Sequence, residues 1–165
     1  MSEMGKLDLI DLRILQALQE DARMPSERLA ERVGISSPAC YRRVRRLRGI
    51  GAVHREVALV KPQTMGWPLT MIVLVTLERE RTDILDRIIQ AFARVPEIVE
   101  AWYVTGDYDF ALRIVARDME EFEQFTRRVL YSDENIRSFK TLVVMRNIKQ
   151  LSPIPIAEGA PAWPR

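Results

Sequence analysis

The chain is poor in the residues from which metal and redox sites are built. Its 165 residues include one cysteine, Cys40, and one histidine, His54. A single cysteine excludes an internal disulfide framework and any cysteine-rich metal site, and no second His or Cys stands near His54 to share a metal. The longest uncharged stretch, Pro62 to Leu77, is interrupted by Gly66 and Pro68 and is too short to span a bilayer as a helix. The opening Met-Ser-Glu-Met-Gly-Lys-Leu-Asp lacks the apolar core of a signal peptide. There is no solenoid-type repeat. The expectation is a soluble, cytoplasmic protein with no cofactor, no metal and no membrane partner. A last absence is local: from Ser36 to Arg55 there are six arginines and no acidic residue.

That local absence organises the charge of the whole chain. The net charge is only +2, but residues 1–60 hold 11 Lys+Arg against 8 Asp+Glu, and residues 61–165 hold 14 against 15. The basic excess therefore belongs to the N-terminal third, as in a small nucleic-acid-binding domain joined to a neutral one. Within it, Gly34 makes a turn, Ser36 and Ser37 are candidate helix caps, and Pro38 stands just inside the helix start. Cys40, Val44 and Leu47 recur at i, i+4 and i+7 as one apolar stripe, which makes Cys40 a small buried core residue. The opposite side carries Tyr41, Arg42, Arg45 and Arg48, with Arg43 and Arg46 on its flanks. Such a helix suits a DNA groove. Ser36, Ser37 and the helix N-terminus would meet phosphate or the first bases, Tyr41, Arg42 and Arg45 would enter the major groove, and Arg46 and Arg48 would meet backbone.

Periodicity places the remaining elements. Leu7, Ile10, Ile14, Ala17 and Leu18 stripe a first helix ending near Asp21, with Asp8 and Asp11 in its first turn. Leu29, Ala30 and Val33 mark a short second helix, and a turn of about three residues leads into the basic one, the spacing of a helix-turn-helix. Val53, Val57 and Leu59 predict an extended segment, a strand or wing. Lys61-Pro62 and Gly66-Trp67-Pro68 are breakers and divide the chain into 1–52, a linker 53–68, a second domain 69–151 and a Pro-rich tail 152–165. Leu69–Leu77 is a strand by β-propensity with two apolar faces, so both sides of its sheet need cover: helices on one, a partner subunit on the other.

The second domain continues with a helix capped by Thr82 or Asp83 and a strand over Ile98–Thr105. A tight turn at Gly106-Asp107-Tyr108-Asp109 precedes the returning strand Phe110–Ala116. Asp118 with Glu121 opens a further helix striped by Met119, Phe122, Phe125 and Val129. A final strand runs over Arg137–Ile148. The fold class is α+β, a three-helix winged helix-turn-helix followed by a ferredoxin-like βαββαβ domain. The tail, with four prolines in its last fourteen residues, reads as extended or disordered.

These residues resemble the Lrp/AsnC, or feast/famine, transcriptional regulators. The first domain matches through Leu7-Asp8-x-x-Asp11-x-x-Ile14-Leu15, Asp21-Ala22-Arg23, Leu29-Ala30-x-x-Val33-Gly34-Ile35-Ser36, Arg43-Val44-x-x-Leu47 and Gly51-x-Val53. The second matches through Val104-Thr105-Gly106-Asp107-Tyr108-Asp109, Thr141 and Ile148-Lys149. The likeness spans roughly Leu7 to Leu151. It departs from the family at Ala101-Trp102, where Cys-Tyr is frequent, at Arg48, where an acidic residue is common, and in the Pro-rich tail.

The resemblance implies a sequence-specific regulator with double-stranded DNA as partner and Ser36, Ser37, Pro38, Tyr41, Arg42, Arg43, Arg45 and Arg46 at the interface. It implies a small effector, an amino acid or related metabolite, held by Thr105, Gly106, Asp107, Tyr108, Asp109 and Thr141 at a cleft between dimers. It further implies homodimers assembling to tetramers or octamers. By their setting alone, Asp107 and Asp109 are turn residues rather than a catalytic pair. Two alternatives stand beside this reading. One is a sirohaem-decarboxylase-like enzyme of the same fold, which the solitary His54 disfavours. The other is an architectural DNA-binding protein without effector.

Overall fold

The computed structural model describes residues 7–79 and 81–157. The first six residues and the tail beyond 157 lie outside the described residues, and with them part of the expectations for the N-terminus and the tail. The chain divides into two compact units, Met1–Ala58 together with Ile148–Arg165, and Leu59–Asn147.

The first unit holds three helices, α1 (Leu9–Glu20), α2 (Ser26–Val33) and α3 (Ser37–Gly49). Asp8 caps α1 through a full capping box: its carboxylate accepts the Asp11 N–H at 2.8 Å, and the Asp11 carboxylate accepts the Asp8 N–H at 3.1 Å. Gly34 ends α2 in the left-handed conformation, φ 76°. Its own N–H and that of Ile35 both reach the Ala30 carbonyl, closing the last turn. The three apolar stripes meet in one core containing Ile14, Leu29, Val33, Cys40, Val44 and Leu47. Burial pushes the Cys40 thiol pKa up, which keeps it a neutral packing group. The segment after α3 joins no β-ladder among the described residues, so the expected strand or wing at Ala52–Val60 is irregular chain. Val57, Leu59 and Val60 are all exposed there. A short 3₁₀ turn, Pro62–Met65, follows and is closed by left-handed Gly66.

The second unit is a four-stranded antiparallel sheet in the order β2-β3-β1-β4, with two helices on one face. Its elements are β1 (Leu69–Leu77), α4 (Thr82–Ala93), β2 (Ile98–Tyr103), β3 (Phe110–Ala116), α5 (Met119–Phe125) and β4 (Ile136–Val143). Met71, Val73, Val75 and Leu77 of β1 and Phe110, Leu112, Ile114 and Ala116 of β3 form two adjacent inward rows, and Ile88, Phe92, Phe122, Phe125 and Leu130 close over them. The opposite row of β1 (Thr70, Ile72, Leu74, Thr76) is half-buried. β1 and β3 occupy the two central positions, which explains why the most apolar strand is β1.

Four local expectations are corrected. Arg81, not Thr82 or Asp83, is the N-cap of α4, without a side-chain cap bond. β2 stops at Tyr103: the Val104 N–H still meets the Asp109 carbonyl in register, but the Asp109 N–H turns to the Val75 carbonyl of β1, so the pairing goes no further. β4 stops at Val143, because its partner β1 begins at Leu69 and the last bond available is from the Val144 N–H to the Thr70 carbonyl, leaving Met145 and Ile148 exposed. Met119 points to solvent, and the stripe beyond Phe125 is shifted by a π-helical turn, Thr126–Leu130, in which the Tyr131 N–H reaches the Thr126 carbonyl at 2.9 Å. That wide turn advances the helix phase, so Thr126 and Leu130 are buried and Val129 only half so.

Candidate nucleic-acid interface and effector turn

Helix α3 starts as an anion site would. Ser36 is its N-cap in extended conformation with no side-chain cap bond, Pro38 lies in the first turn, and that turn has no acidic residue. The helix dipole and its first N–H groups are therefore not neutralised by a neighbouring side chain. Ser36 and Pro38 are exposed and Ser37 half-buried.

The arginines of α3 separate into two sets. Arg43 and Arg46, on the flank nearest α1, are engaged inside the protein. Arg43 Nη1 lies 2.6 Å from Asp8 Oδ2 and 2.8 Å from Asp11 Oδ1, and Arg46 Nη2 bonds Asp11 Oδ2. Asp11 is 1% exposed, the sole buried carboxylate among the described residues. Both its oxygens are thus held by guanidinium groups of α3, which ties the basic helix to α1 with two charge-assisted bonds. The Asp11 N–H, and after it the Arg43 guanidinium, hold the Asp8 carboxyl below the usual range, and Arg43 is raised in turn by Asp8 and Asp11. At the helix end, Arg48 is bonded to Glu56 Oε1 by Nη2 at 2.6 Å and by Nε at 3.1 Å.

Arg42 and Arg45 form the second set. Both are exposed, with Tyr41 beside them 59% exposed, and neither makes an ion pair among the described residues. Of the eight positions expected at the interface, Ser36, Ser37, Pro38, Tyr41, Arg42 and Arg45 share the accessible start and outer side of α3. Arg43 and Arg46 point their charge toward Asp11 instead. Distance along the chain hides this clamp, whose halves lie 32 and 35 residues apart. Its signal is a matching of spacings: carboxylates at i and i+3 at the start of α1, Asp8 and Asp11, and guanidiniums at i and i+3 in α3, Arg43 and Arg46.

In the second unit, the turn between β2 and β3 is closed by the Val104 N–H on the Asp109 carbonyl at 2.9 Å. Gly106 takes φ 122°, a conformation that any Cβ would strain. Asp109 is structural here: its N–H reaches the Val75 carbonyl at 2.8 Å, and its Oδ2 accepts the Leu77 N–H at 2.6 Å. Thr105, Gly106 and Asp107 are exposed and Tyr108 is half-buried. Thr141 stands opposite Val73 on the inward row of β1, four residues back from Leu77, whose N–H the Asp109 carboxylate accepts. Trp102, opposite Ala111 on the helix-free face, is 47% exposed, and next to it Arg113 Nε bonds Glu100 Oε2 at 2.8 Å. Among the described residues no group of three or more His, Cys, Asp or Glu is placed to hold a metal, and no helix is long and apolar enough to cross a membrane.

Comparison with known proteins accounts for both units. Residues 7–48 match the AsnC-type helix-turn-helix domain, and residues 70–154 match the Lrp/AsnC ligand binding domain. An uncharacterized HTH-type transcriptional regulator of Sinorhizobium fredii is 47% identical over 92% of this chain and 89% of that protein. The leucine-responsive regulatory protein of Rhizobium meliloti is 36% identical over 92% of this chain and 97% of its own length. Among solved structures, a transcriptional regulator of Neisseria meningitidis in complex with L-Met superposes with a TM-score of 0.83 at 30% identity, covering 90% of this chain and 96% of that one.

Proposed function

Because the chain belongs to the Lrp/AsnC family of DNA-binding transcriptional regulators, we propose that it reads a specific operator through the outer side of α3. Arg42 and Arg45, with Tyr41, enter the major groove, while Ser36, Ser37, Pro38 and the α3 N-terminus grip phosphate. Arg43 and Arg46 orient the helix from behind through Asp11. The observation that carries this reading is the division of the arginines: two are exposed with no ion pair among the described residues, and two are locked to a buried carboxylate on the other side. A basic face meant only for solvation needs no such anchoring.

The protein acts in the cytoplasm, alongside the DNA it binds. The helix-free face of the sheet, with Ile72, Leu74, Trp102 and Leu142 on it, supports a homodimer that assembles further to tetramers or octamers. Two α3 helices in a dimer then address half-sites about 34 Å apart. The effector is an amino acid or close derivative at the Gly106 turn, the ligand class named for the Neisseria relative. Turn N–H groups suit an α-carboxylate and Asp107 suits an α-amino group, whereas Asp109 is engaged with Leu77. Thr105, Tyr108 and Thr141 complete the site only once a second copy adjoins it.

Selection of sites from random duplex DNA by the purified full chain tests the reading. Enrichment of a pseudo-palindrome with half-sites one helical turn apart is expected. No enriched sequence would instead favour an architectural role. A thermal-shift screen of the twenty amino acids should raise the melting temperature with the effector, by mass action.

A further inference from the structure

The Pro-rich tail is the one motif that the regulator reading leaves without a task, and its described part is seated on the DNA-binding unit. Gln19, near the end of α1, meets Ile154 with both ends of its amide. Its Nε2 donates to the Ile154 carbonyl at 3.2 Å, and its Oε1 accepts the Ile154 N–H at 2.8 Å. One side chain thereby satisfies both backbone groups of one residue, as a neighbouring strand would. The flanking residues make that contact selective. Pro153 and Pro155 have no N–H, so Ile154 carries the sole backbone donor of the triplet. Ser152 and Ile154 each precede a proline, which holds the segment extended before it docks and lowers the entropy lost on docking.

Beneath the tail lies a cavity of about 550 Å³, lined by Leu12 and Leu15 of α1, by Val53 after α3, and by Pro155 and Ile156 of the tail itself. Ile156 is half-buried against it, although its neighbours Ile154 and Pro155 remain exposed. The tail belongs to the same compact unit as α1. We propose that this groove is a docking site for the chain's own Pro153–Ile156 segment, recognised as an extended Pro-x-Pro backbone by Gln19 and by the apolar floor. The DNA-binding unit is then held by the chain from two directions: by the linker that follows α3, and by the tail that follows β4. A change at the β4 end of the second unit has a covalent route to α1 that bypasses the linker.

Disulfide trapping in the full chain tests this directly. Cys40 is buried and does not compete. With Gln16→Cys and Ile156→Cys, both on the cavity wall, mild oxidation should give an intrachain disulfide, seen as a faster monomer band without reductant. Adding Gln19→Ala should slow its formation about tenfold, as expected for loss of the paired bonds. The proposal fails if the disulfide forms no faster than in a control pairing Ile156→Cys with Glu27→Cys on α2. It also fails if the product is a dimer, meaning that the tail of another copy fills the groove, or if Gln19→Ala leaves the rate unchanged. Hydrogen exchange on the otherwise unsubstituted chain guards against perturbation by the cysteines. The peptide 151–157 should exchange more slowly in the parent than in Gln19→Ala, and equal rates overturn the assignment.

Discussion

The two units fix their functional elements by different means. In the second, position comes from a broad apolar core: two central strands with alternating inward rows, covered by α4 and α5. In the first, the core is small, and the orientation of α3 is set by ion pairs to one buried carboxylate. A three-helix unit has little apolar area with which to define the rotation of a helix about its axis. A bidentate carboxylate with guanidiniums on both oxygens defines that rotation closely. In α3 the same residue type thus stands in two settings, outward at the proposed DNA face and inward on the scaffold.

Truncating the broad core should have the larger effect. Leu112→Ala, at a fully buried position of β3, is expected to destabilise the second unit by about 3 kcal/mol. Denaturant unfolding of the full chain measures it, and a change within experimental error would mean that the β3 row does not hold the sheet. Asp11→Ala comes next. It strands Arg46 and leaves Arg43 with Asp8 alone, at about 2 kcal/mol, less than for a fully enclosed pair because Arg43 and Arg46 are 30% and 38% exposed. Its diagnostic consequence is in binding: operator affinity should fall although no DNA-facing residue has changed. If Asp11→Ala weakens folding but the folded protein still binds its operator normally, the clamp supports the fold without aiming the helix.

The smallest effect concerns pH. The Asp8 carboxyl is held below its ordinary value of 3.8, chiefly by the Asp11 N–H and then by Arg43. Its contribution is therefore complete above that value and disappears as pH falls through the lower folded-state value. Acid unfolding of the first unit followed by circular dichroism should begin at higher pH in Arg43→Ala, which removes one of these causes. Asp8→Asn should be less stable at neutral pH and lose this part of the acid dependence. Identical acid profiles for parent and Asp8→Asn would show that the capping box carries no pH-linked stability.

The same contrast governs what could be read from the residues alone. β-propensity placed β1 at Leu69–Leu77, and the turn at Gly106–Asp109 placed β3 after it at Phe110–Ala116, because burial against neighbours selects the side chains of a central strand. Helical stripes placed the cores of α1, α2 and α3 for the same reason. The π-helical turn after Phe125 escaped, since a period of 3.6 carries no notice of where it will be broken. The ends of β2 and β4 escaped because they depend on what the partner strand offers. In the interface, the exposed set around Arg42 and Arg45 was legible as a basic face, yet Arg43 and Arg46 looked identical to it. A one-dimensional charge pattern records the sign of a side chain but not which way it turns. The Gly106–Asp109 turn was legible as a turn, whereas the engagement of Asp109 with Leu77 required the packing of β1 against β3.

On the proposed reading, α3 recognises sequence through its outward arginines. The most direct measurement is the affinity of the full chain for its selected operator and for a random duplex of equal length, in parent, Arg42→Ala and Arg48→Ala proteins across a range of salt. Arg42→Ala should lose about tenfold or more on the operator and clearly less on the random duplex, while Arg48→Ala, whose charge is shared with Glu56, should lose little on either. Equal losses on both duplexes for Arg42→Ala, with the salt dependence reduced by about one ion, would contradict the claim and make Arg42 a phosphate contact.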